Sequence, residues 1–514
     1  MSPLPGVRRQ RVNAFNVFIL CFVGLGSMSY GYTASIIGTT LGQPSFIEYF
    51  QLATRKNGTD LISTTNGLFQ AGGVIGTLLL PIVSDKYGRK WGIAVSAILA
   101  IISGAVLAGS TNIVEFIVFR FVAGASAFMV LAAVPEVVPV KMRAGLVDIH
   151  AVLLILGYTV QGWVGFGFYF WKSGANTWRP PLALQCVWPL LLLCGLYWIP
   201  ESPRWLIMND RIDEAKLILD KLHSDPSDPD NKYARSEFYQ IQKQIAIDKT
   251  LGSSWVHMFR KPSYRKRALL AMGTTFFIQC SGVLVINNYG PTLYKNLGFS
   301  PVKQLLYPAA WLTTALGINI MAIGVVDRFP RNKYIGCGIL GCMATLIVEA
   351  ALVASFVPSN NSAALQAAVA MLYVFQIPYG FCLDGTQFSY LGELFPTHLR
   401  AKGVSLGVAM ISLTNIVWLQ AAPTAFVTIG WKFYLVFIIP GTMGGLIIYF
   451  FFPDTKGLPL EEVAALFGDE DEIAVYQREI DVNGNEIIDH HAVAKEKQQA
   501  YIEDIGVSEV DKNV

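Results

Sequence analysis

Apolar residues in this chain fall in long unbroken runs. They cover roughly 14–38, 64–84, 91–109, 113–135, 149–171 and 181–199, then 268–289, 305–326, 334–356, 366–391, 403–424 and 432–452. A helix needs about 20 mostly apolar residues to cross the hydrocarbon core of a bilayer. Membrane strands would alternate, and in lipid a helix satisfies its own backbone hydrogen bonds. The pattern predicts an all-α membrane protein with twelve transmembrane helices in two groups of six.

Polar stretches divide the chain. Residues 1–13 form a short N-terminal segment and 14–199 the first six-helix bundle. Residues 200–267, with Arg211-Ile-Asp-Glu-Ala-Lys and Glu237 through Asp248, mix charges with spaced Ile and Leu. That spacing predicts amphipathic helices at the membrane surface. Residues 268–452 form the second bundle, and 453–514 an acidic tail too poor in apolar residues for a core, expected to be largely disordered.

Composition agrees with a lipid-facing surface. Of 514 residues 53% are hydrophobic and only 15% charged, against about 25% charged in soluble domains. A net charge of +3 with no basic run excludes a nucleic-acid binder. The seven cysteines all lie in apolar stretches, without the spacing of a disulfide or metal framework, and no cofactor is expected. The first apolar run is too long for a signal peptide and is read as a retained span.

Lys and Arg set the orientation. Arg8, Arg9, Arg11, Lys86, Arg89, Lys90, Lys141, Arg143, Arg328, Arg331, Lys333, Arg400, Lys402 and Lys456 collect on one side, together with the central loop. Both termini are therefore expected in the cytoplasm. Two glycosylation sequons, at Asn57 and Asn360, fall on the opposite side.

The halves repeat one another. Asp85-Lys-Tyr-Gly-Arg89 after the second run matches Asp327-Arg-Phe-Pro-Arg331 after the eighth. Glu136-x-x-Pro-x-x-x-Arg143 matches Glu393-x-x-Pro-x-x-x-Arg400, and Pro200-Glu201-Ser-Pro-Arg204 corresponds to Pro453-Asp-Thr-Lys. Three pairs at nearly one offset mean two homologous halves, an arrangement that places a binding site between them near the midplane. Acids contribute little to topology, so the matched carboxylates point to a cytoplasmic gate: Asp85, Arg89, Glu136, Arg143, Glu201, Arg204, Asp327, Arg331, Glu393 and Arg400 pair when that side is shut and part when it opens.

At these residues the chain resembles the sugar porter family of the major facilitator superfamily, with a fungal flavour. Pro200-Glu-Ser-Pro-Arg-Trp-Leu206 matches the family's sequence after the sixth span without a change, and Asp85–Lys90, Trp178-Arg179-Pro180, Gln185, Glu393–Pro396 with Arg400, and Pro453–Gly457 also match. The resemblance covers about 14–467. It implies a multi-pass plasma-membrane protein, monomeric, that carries a hexose, pentose or small oligosaccharide by alternating access, with no covalent chemistry. A sugar sensor of transporter descent, or a carrier of a sugar-like acid such as quinate, are the alternatives.

The family's site is remodelled here. Its Gln-Gln-x-Ser/Thr-Gly-x-Asn in the seventh span reads Ile278-Gln279-Cys280-Ser281-Gly282-Val283-Leu284, one Tyr of its outer gate is Asn288, and its Trp in the tenth span is Phe388. Sugars need neutral donors and acceptors and an aromatic platform. The substrate-binding candidates are Gln161, Gln279, Asn288, Gln387 and Asn415, with Phe388 for stacking and Trp163 and Trp418 behind it. Each also has a plain reading as helix packing.

Charges inside the spans point to coupling. Arg120 lies early in the fourth run. Proton-coupled members pair the matching Arg with an Asp in the first span, where this chain has Thr33, as facilitators do. Asp384, deep in the tenth run, is a carboxylate that could carry a proton, or serve as a structural partner for Arg120 or a backbone cap. Uniport and proton symport thus both stand open. His150, His223, His257, His398, His490 and His491 fall mainly in loops or termini, and no catalytic or metal constellation is seen, so an enzyme is not expected.

Overall fold

The computed structural model describes residues 14–133, 143–171, 176–222, 231–248, 251, 254–323, 325–356, 361–396, 398–456, 463 and 466–469. Glu136 and Asn360 lie outside these residues, and so does nearly all of the acidic tail.

Ten helical segments among the described residues are long and apolar enough to cross a membrane. The first helix, Ala14–Gly42, and a sixth span in two pieces, Arg179–Leu184 and Val187–Gly195, complete twelve. The continuous spans are the second to fifth, Gly58–Tyr87, Arg89–Gly109, Ile113–Ala133 and Arg143–Tyr169, and Pro301–Ala322, Arg331–Phe356, Arg400–Thr428 and Phe433–Phe451 in the second half.

Two further spans are interrupted where it matters. The seventh runs Pro262–Gln279, breaks, and resumes as Val283–Asn296. Gly282 sits in the break at φ +74°, left-handed backbone that glycine adopts without a Cβ clash. The tenth runs Ser362–Cys382 and resumes as Thr386–Leu394. Its upper piece carries Pro378, which cannot donate to the helical ladder. Broken helices at membrane depth persist only where the freed backbone is buried in protein or lines a cavity.

The halves meet along three seams: the second span on the eleventh, the fifth on the eighth, and the first on the seventh. Lipid tails are as apolar as leucine, so close packing and hydrogen bonds hold such seams. At the first–seventh seam a Cβ on Gly38 would lie 2.9 Å from the Asn287 carbonyl oxygen, so only glycine permits this approach. Between the halves Asn66 Nδ2 donates to Tyr289 Oη (2.9 Å), Thr159 Oγ1 to the Leu312 carbonyl (3.0 Å) and Ser35 Oγ to Asn287 Oδ1 (3.4 Å).

Between the halves lie four short helices, Pro203–Met208, Ile212–Leu222, Lys232–Asp248 and Trp255–Arg260. Leu206, Ile207, Ala215, Leu219, Ala234, Ile241 and Ile245 give the first three a small core of their own. One described residue of the 453–514 segment is docked on the second half. Asp469 is buried and accepts from Arg267 Nη2 (2.5 Å), Ser263 Oγ (2.8 Å) and Lys261 Nζ (2.7 Å), at the foot of the seventh span. A carboxylate with three donors is well enough satisfied to be buried, which the acidic composition of the stretch concealed.

Candidate functional site

Where the broken seventh and tenth spans face the first, fifth and eighth, the halves enclose a narrow cavity of about 60 Å³. The second half supplies its polar groups: Gln279, Gln376, Asp384 and Gln387. The first half supplies two tyrosines, Tyr30 and Tyr158, and an aliphatic surface of Ala151, Leu154 and Ile155.

Gln279 ends the lower piece of the seventh span, and its Oε1 accepts from Asn415 Nδ2 at 3.1 Å. Asn415 also donates to the Ile411 carbonyl of its own helix (2.8 Å), so it stands behind Gln279 and fixes its orientation. Gln387 opens the lower piece of the tenth span. Its Nε2 donates to the Asp384 carbonyl (3.3 Å), leaving buried Oε1 without a protein partner. Gln376, buried above the break, likewise has an unpartnered Oε1. Orphaned buried acceptors cost free energy and mark places where a ligand's donors would fit.

Asp384 occupies the break of the tenth span. Its side chain accepts from Asn319 Nδ2 of the eighth span (3.0 Å), and its backbone N–H donates to the Tyr379 carbonyl (3.2 Å). Pairing with Arg120, one alternative reading of the sequence, is not found. Arg120 is buried, its Nη1 donates to the Thr33 carbonyl (3.3 Å), and its guanidinium lies 4.3 Å from the Phe69 ring centroid. A desolvated cation over an aromatic face is worth about 2 kcal/mol. The contact also puts Thr33 beside Arg120, as the resemblance implied.

Two predicted substrate ligands stand off the cavity wall. Gln161 donates from Nε2 to Thr39 Oγ1 at the first–fifth helix contact. Asn288 is buried at the first–seventh seam beside Gly38. The Gln161 amide is turned into a helix contact, and Asn288 Oδ1 is buried without a protein partner. Phe388 lines the cavity, but Trp163 faces outward, 43% exposed, with its indole N–H on Thr313 Oγ1. Trp418 packs on Phe437 at 5.3 Å.

Sequence reasoning missed His150. It belongs to the fifth span, not to a loop, and is buried with Nδ1 bonded to Ser27 Oγ. Its ring meets Phe388 edge-on at 5.7 Å, closing the cavity from the side of the charged loops. Its position four residues before Leu154, on the face that lines the cavity, was the available signal. Asn66, which bridges to Tyr289 toward the opposite side, was missed as well.

The charged loops form two matched clusters. Glu201 accepts from the backbone N–H groups of Arg89 (2.9 Å) and Lys90 (3.3 Å) at the start of the third span. Asp454 accepts from the backbone N–H of Arg331 (2.9 Å) at the start of the ninth. Each carboxylate caps a helix N-terminus, where the dipole favours negative charge. Arg89 also pairs with Asp85 (2.8 Å), and Arg331 with Glu393 (3.4 Å), which accepts from Thr455 Oγ1 (2.5 Å). Lys402 Nζ, 3.8 Å from Asp85, reaches across from the second half to the first. Arg204 and Arg400 are half-buried in the same region. Arg143 opens the fifth span and Asp327 a 3₁₀ turn, and their side chains are outside the described set. Asn57 is exposed at the head of the second span.

A fungal protein named MFS-type transporter criB, from Aspergillus cristatus, is 29% identical over 456 residues, covering 88% of this chain and 93% of its own. An MFS glucose transporter, mfs1 of Aspergillus flavus, is 26% identical over 481 residues, 88% and 90%. Among solved structures, the proton:xylose symporter XylE bound to 6-bromo-6-deoxy-D-glucose shares the fold with a TM-score of 0.76 at 23% identity, covering 89% of this chain and 100% of that one. The family model for "Sugar (and other) transporter" matches residues 19–467. With its twelve spans, paired halves and central cavity, the chain belongs to this family of membrane transporters.

Proposed function

We propose that the chain moves a sugar across a membrane by alternating access, with Asp384 as the proton-carrying group. The observation behind this reading is the central cavity at the breaks of the seventh and tenth spans, walled by neutral amides, tyrosine hydroxyls and one carboxylate. Amides and hydroxyls suit sugar hydroxyls, and the aromatic rings suit the weakly apolar ring face. Gln279, Gln387 and Phe388 contact the solute, and Asn415 holds Gln279. Rocking of the halves opens each side in turn. The Asp85–Lys402 contact and the His150–Phe388 edge bar one side, and Asn66–Tyr289 the other. The clusters around Arg89 and Arg331 lie on the cytoplasmic side, both termini are cytoplasmic, and the protein works as a monomer in the plasma membrane.

Asp384 is paired with neutral Asn319 rather than with an arginine, so no fixed cation holds it ionised, and a proton can neutralise it on the way through. A uniport reading has its own support in Thr33, which cannot titrate beside Arg120. Purified protein in liposomes, loaded with a pH gradient and labelled glucose or xylose, tests both. Symport predicts concentrative uptake that Asp384→Asn abolishes while sugar exchange continues. Uptake indifferent to pH and to the substitution identifies a uniporter. No uptake of any sugar, polyol or sugar acid would end the proposal.

A further inference from the structure

The cavity wall has a composition that a neutral sugar does not require. Tyr30 of the first span, Tyr158 of the fifth, Trp311 of the eighth, and Tyr379 and Phe388 of the tenth share it with Asp384. Among the described residues, none of its lining side chains is a lysine, arginine or histidine. The polar atoms it leaves without a protein partner, Gln376 Oε1 and Gln387 Oε1, are both acceptors. A buried carboxylate needs a compensating charge or a proton. Ring faces attract cations, and an aromatic enclosure with an acid is how proteins seize ammonium groups.

From this we infer that the cavity takes a solute bearing a protonated amine, an amino sugar being the sugar-sized member of the class. The ammonium sits at Asp384 among the aromatic rings and donates to the two orphaned amide oxygens, while the hydroxyls reach Gln279. The inference rests on the reading of this cavity as the transport site. It adds that the solute's positive charge replaces the coupling proton: a neutral sugar enters with Asp384 protonated, whereas an ammonium enters as that proton leaves.

The two modes have opposite pH signatures. The groups facing Asp384 are Asn319 of the eighth span, the buried and protonated Cys342 thiol of the ninth, Tyr379 of its own, Tyr158 of the fifth, Tyr30 of the first and Gln279 of the seventh. Asn319 and Gln279 do not ionise, and the tyrosine hydroxyls stay neutral in any physiological range. His150 faces Phe388 from the fifth span, and Glu349 of the ninth does not line the cavity. Protons and amine therefore compete at one carboxylate.

The test uses the full-length protein in lipid nanodiscs, titrated with D-glucosamine, D-glucose and N-acetyl-D-glucosamine, whose nitrogen carries no charge. We expect D-glucosamine to bind about tenfold more tightly than either neutral sugar, with affinity falling as the buffer is acidified toward pH 5. Asp384→Asn should erase the preference for D-glucosamine over D-glucose, and Glu349→Gln should leave the preference intact. Equal or weaker binding of D-glucosamine by the unaltered protein, or a preference that survives Asp384→Asn, overturns the inference while sugar transport stands. Binding of none of the three, with no transport, removes the transport-site reading and this inference with it.

Discussion

The two halves descend from one six-helix unit, yet they have diverged in how they build the centre. The second half breaks its seventh and tenth spans at the cavity and places Gln279, Gln376, Asp384 and Gln387 there. The first half keeps its first and fifth spans continuous and offers Tyr30, Tyr158 and aliphatic side chains. A broken helix can aim side chains and backbone groups at a ligand, and a continuous one offers a surface that slides. On the proposed transport reading, the difference places recognition in the second half and makes the first half the moving wall. Asp384→Asn, with its expected loss of all concentrative uptake, is the largest test of this asymmetry. Tyr158→Phe, its counterpart in the first half, should change sugar affinity less than about threefold.

The same asymmetry extends to the charged face. Asp85 and Arg89 are 40% and 17% exposed, whereas Arg331 and Glu393 are 6% and 23% exposed. Exposed pairs contribute about 0.2–1 kcal/mol. Removing one partner of a buried, hydrogen-bonded pair costs about 3–5 kcal/mol, because the other charge is stranded. Arg331→Met should therefore lower the thermal unfolding midpoint in detergent markedly, and Arg89→Met only slightly. Equal shifts for the two would mean that the second-half cluster is no more a structural anchor than the first.

Next in size is Gln279→Leu. It deletes a wall amide and leaves Asn415 Nδ2, whose partner it was at 3.1 Å, with the Ile411 carbonyl as its acceptor. A solute hydroxyl that loses its amide partner on binding costs about 1–3 kcal/mol, so sugar affinity should fall about tenfold or more, measured by equilibrium binding. Leu154→Ala on the facing wall should spare affinity and alter the transport rate instead. If the two variants behave alike, the division between recognising half and moving wall fails.

Much of the fold was legible because membrane spans announce themselves by length and hydropathy: all twelve segments lie where the apolar runs placed them. The matched charged motifs located the caps at Arg89 and Arg331, since Glu201 and Asp454 occupy equivalent places in the repeat. The centre was harder to read. An amide in an apolar run looks the same whether it faces a cavity, as Gln279 does, or a neighbouring helix, as Gln161 does, because period and composition are identical. The helix breaks at Gly282 and Asp384 depend on local backbone geometry that hydropathy ignores. Asp469 lay hidden in an acidic stretch because its three donors come from distant residues.

The smallest effect belongs to the contact that joins the halves. Lys402 Nζ lies 3.8 Å from Asp85 Oδ2, beyond hydrogen-bond range, with the carboxylate partly in water. Such a pair gains little Coulomb energy, loses side-chain entropy and is screened by salt, with a Debye length of about 10 Å at 0.1 M. Lys402→Met should shift the balance between the open and closed charged face by less than about fivefold. In liposomes that would appear as a modest change in transport rate with sugar affinity unaltered, and the difference from the unaltered protein should vanish at about 1 M salt. A large loss of transport that persists in high salt would show instead that closure of this face hangs on the one cross-half pair, and would assign the first half a structural anchor of its own.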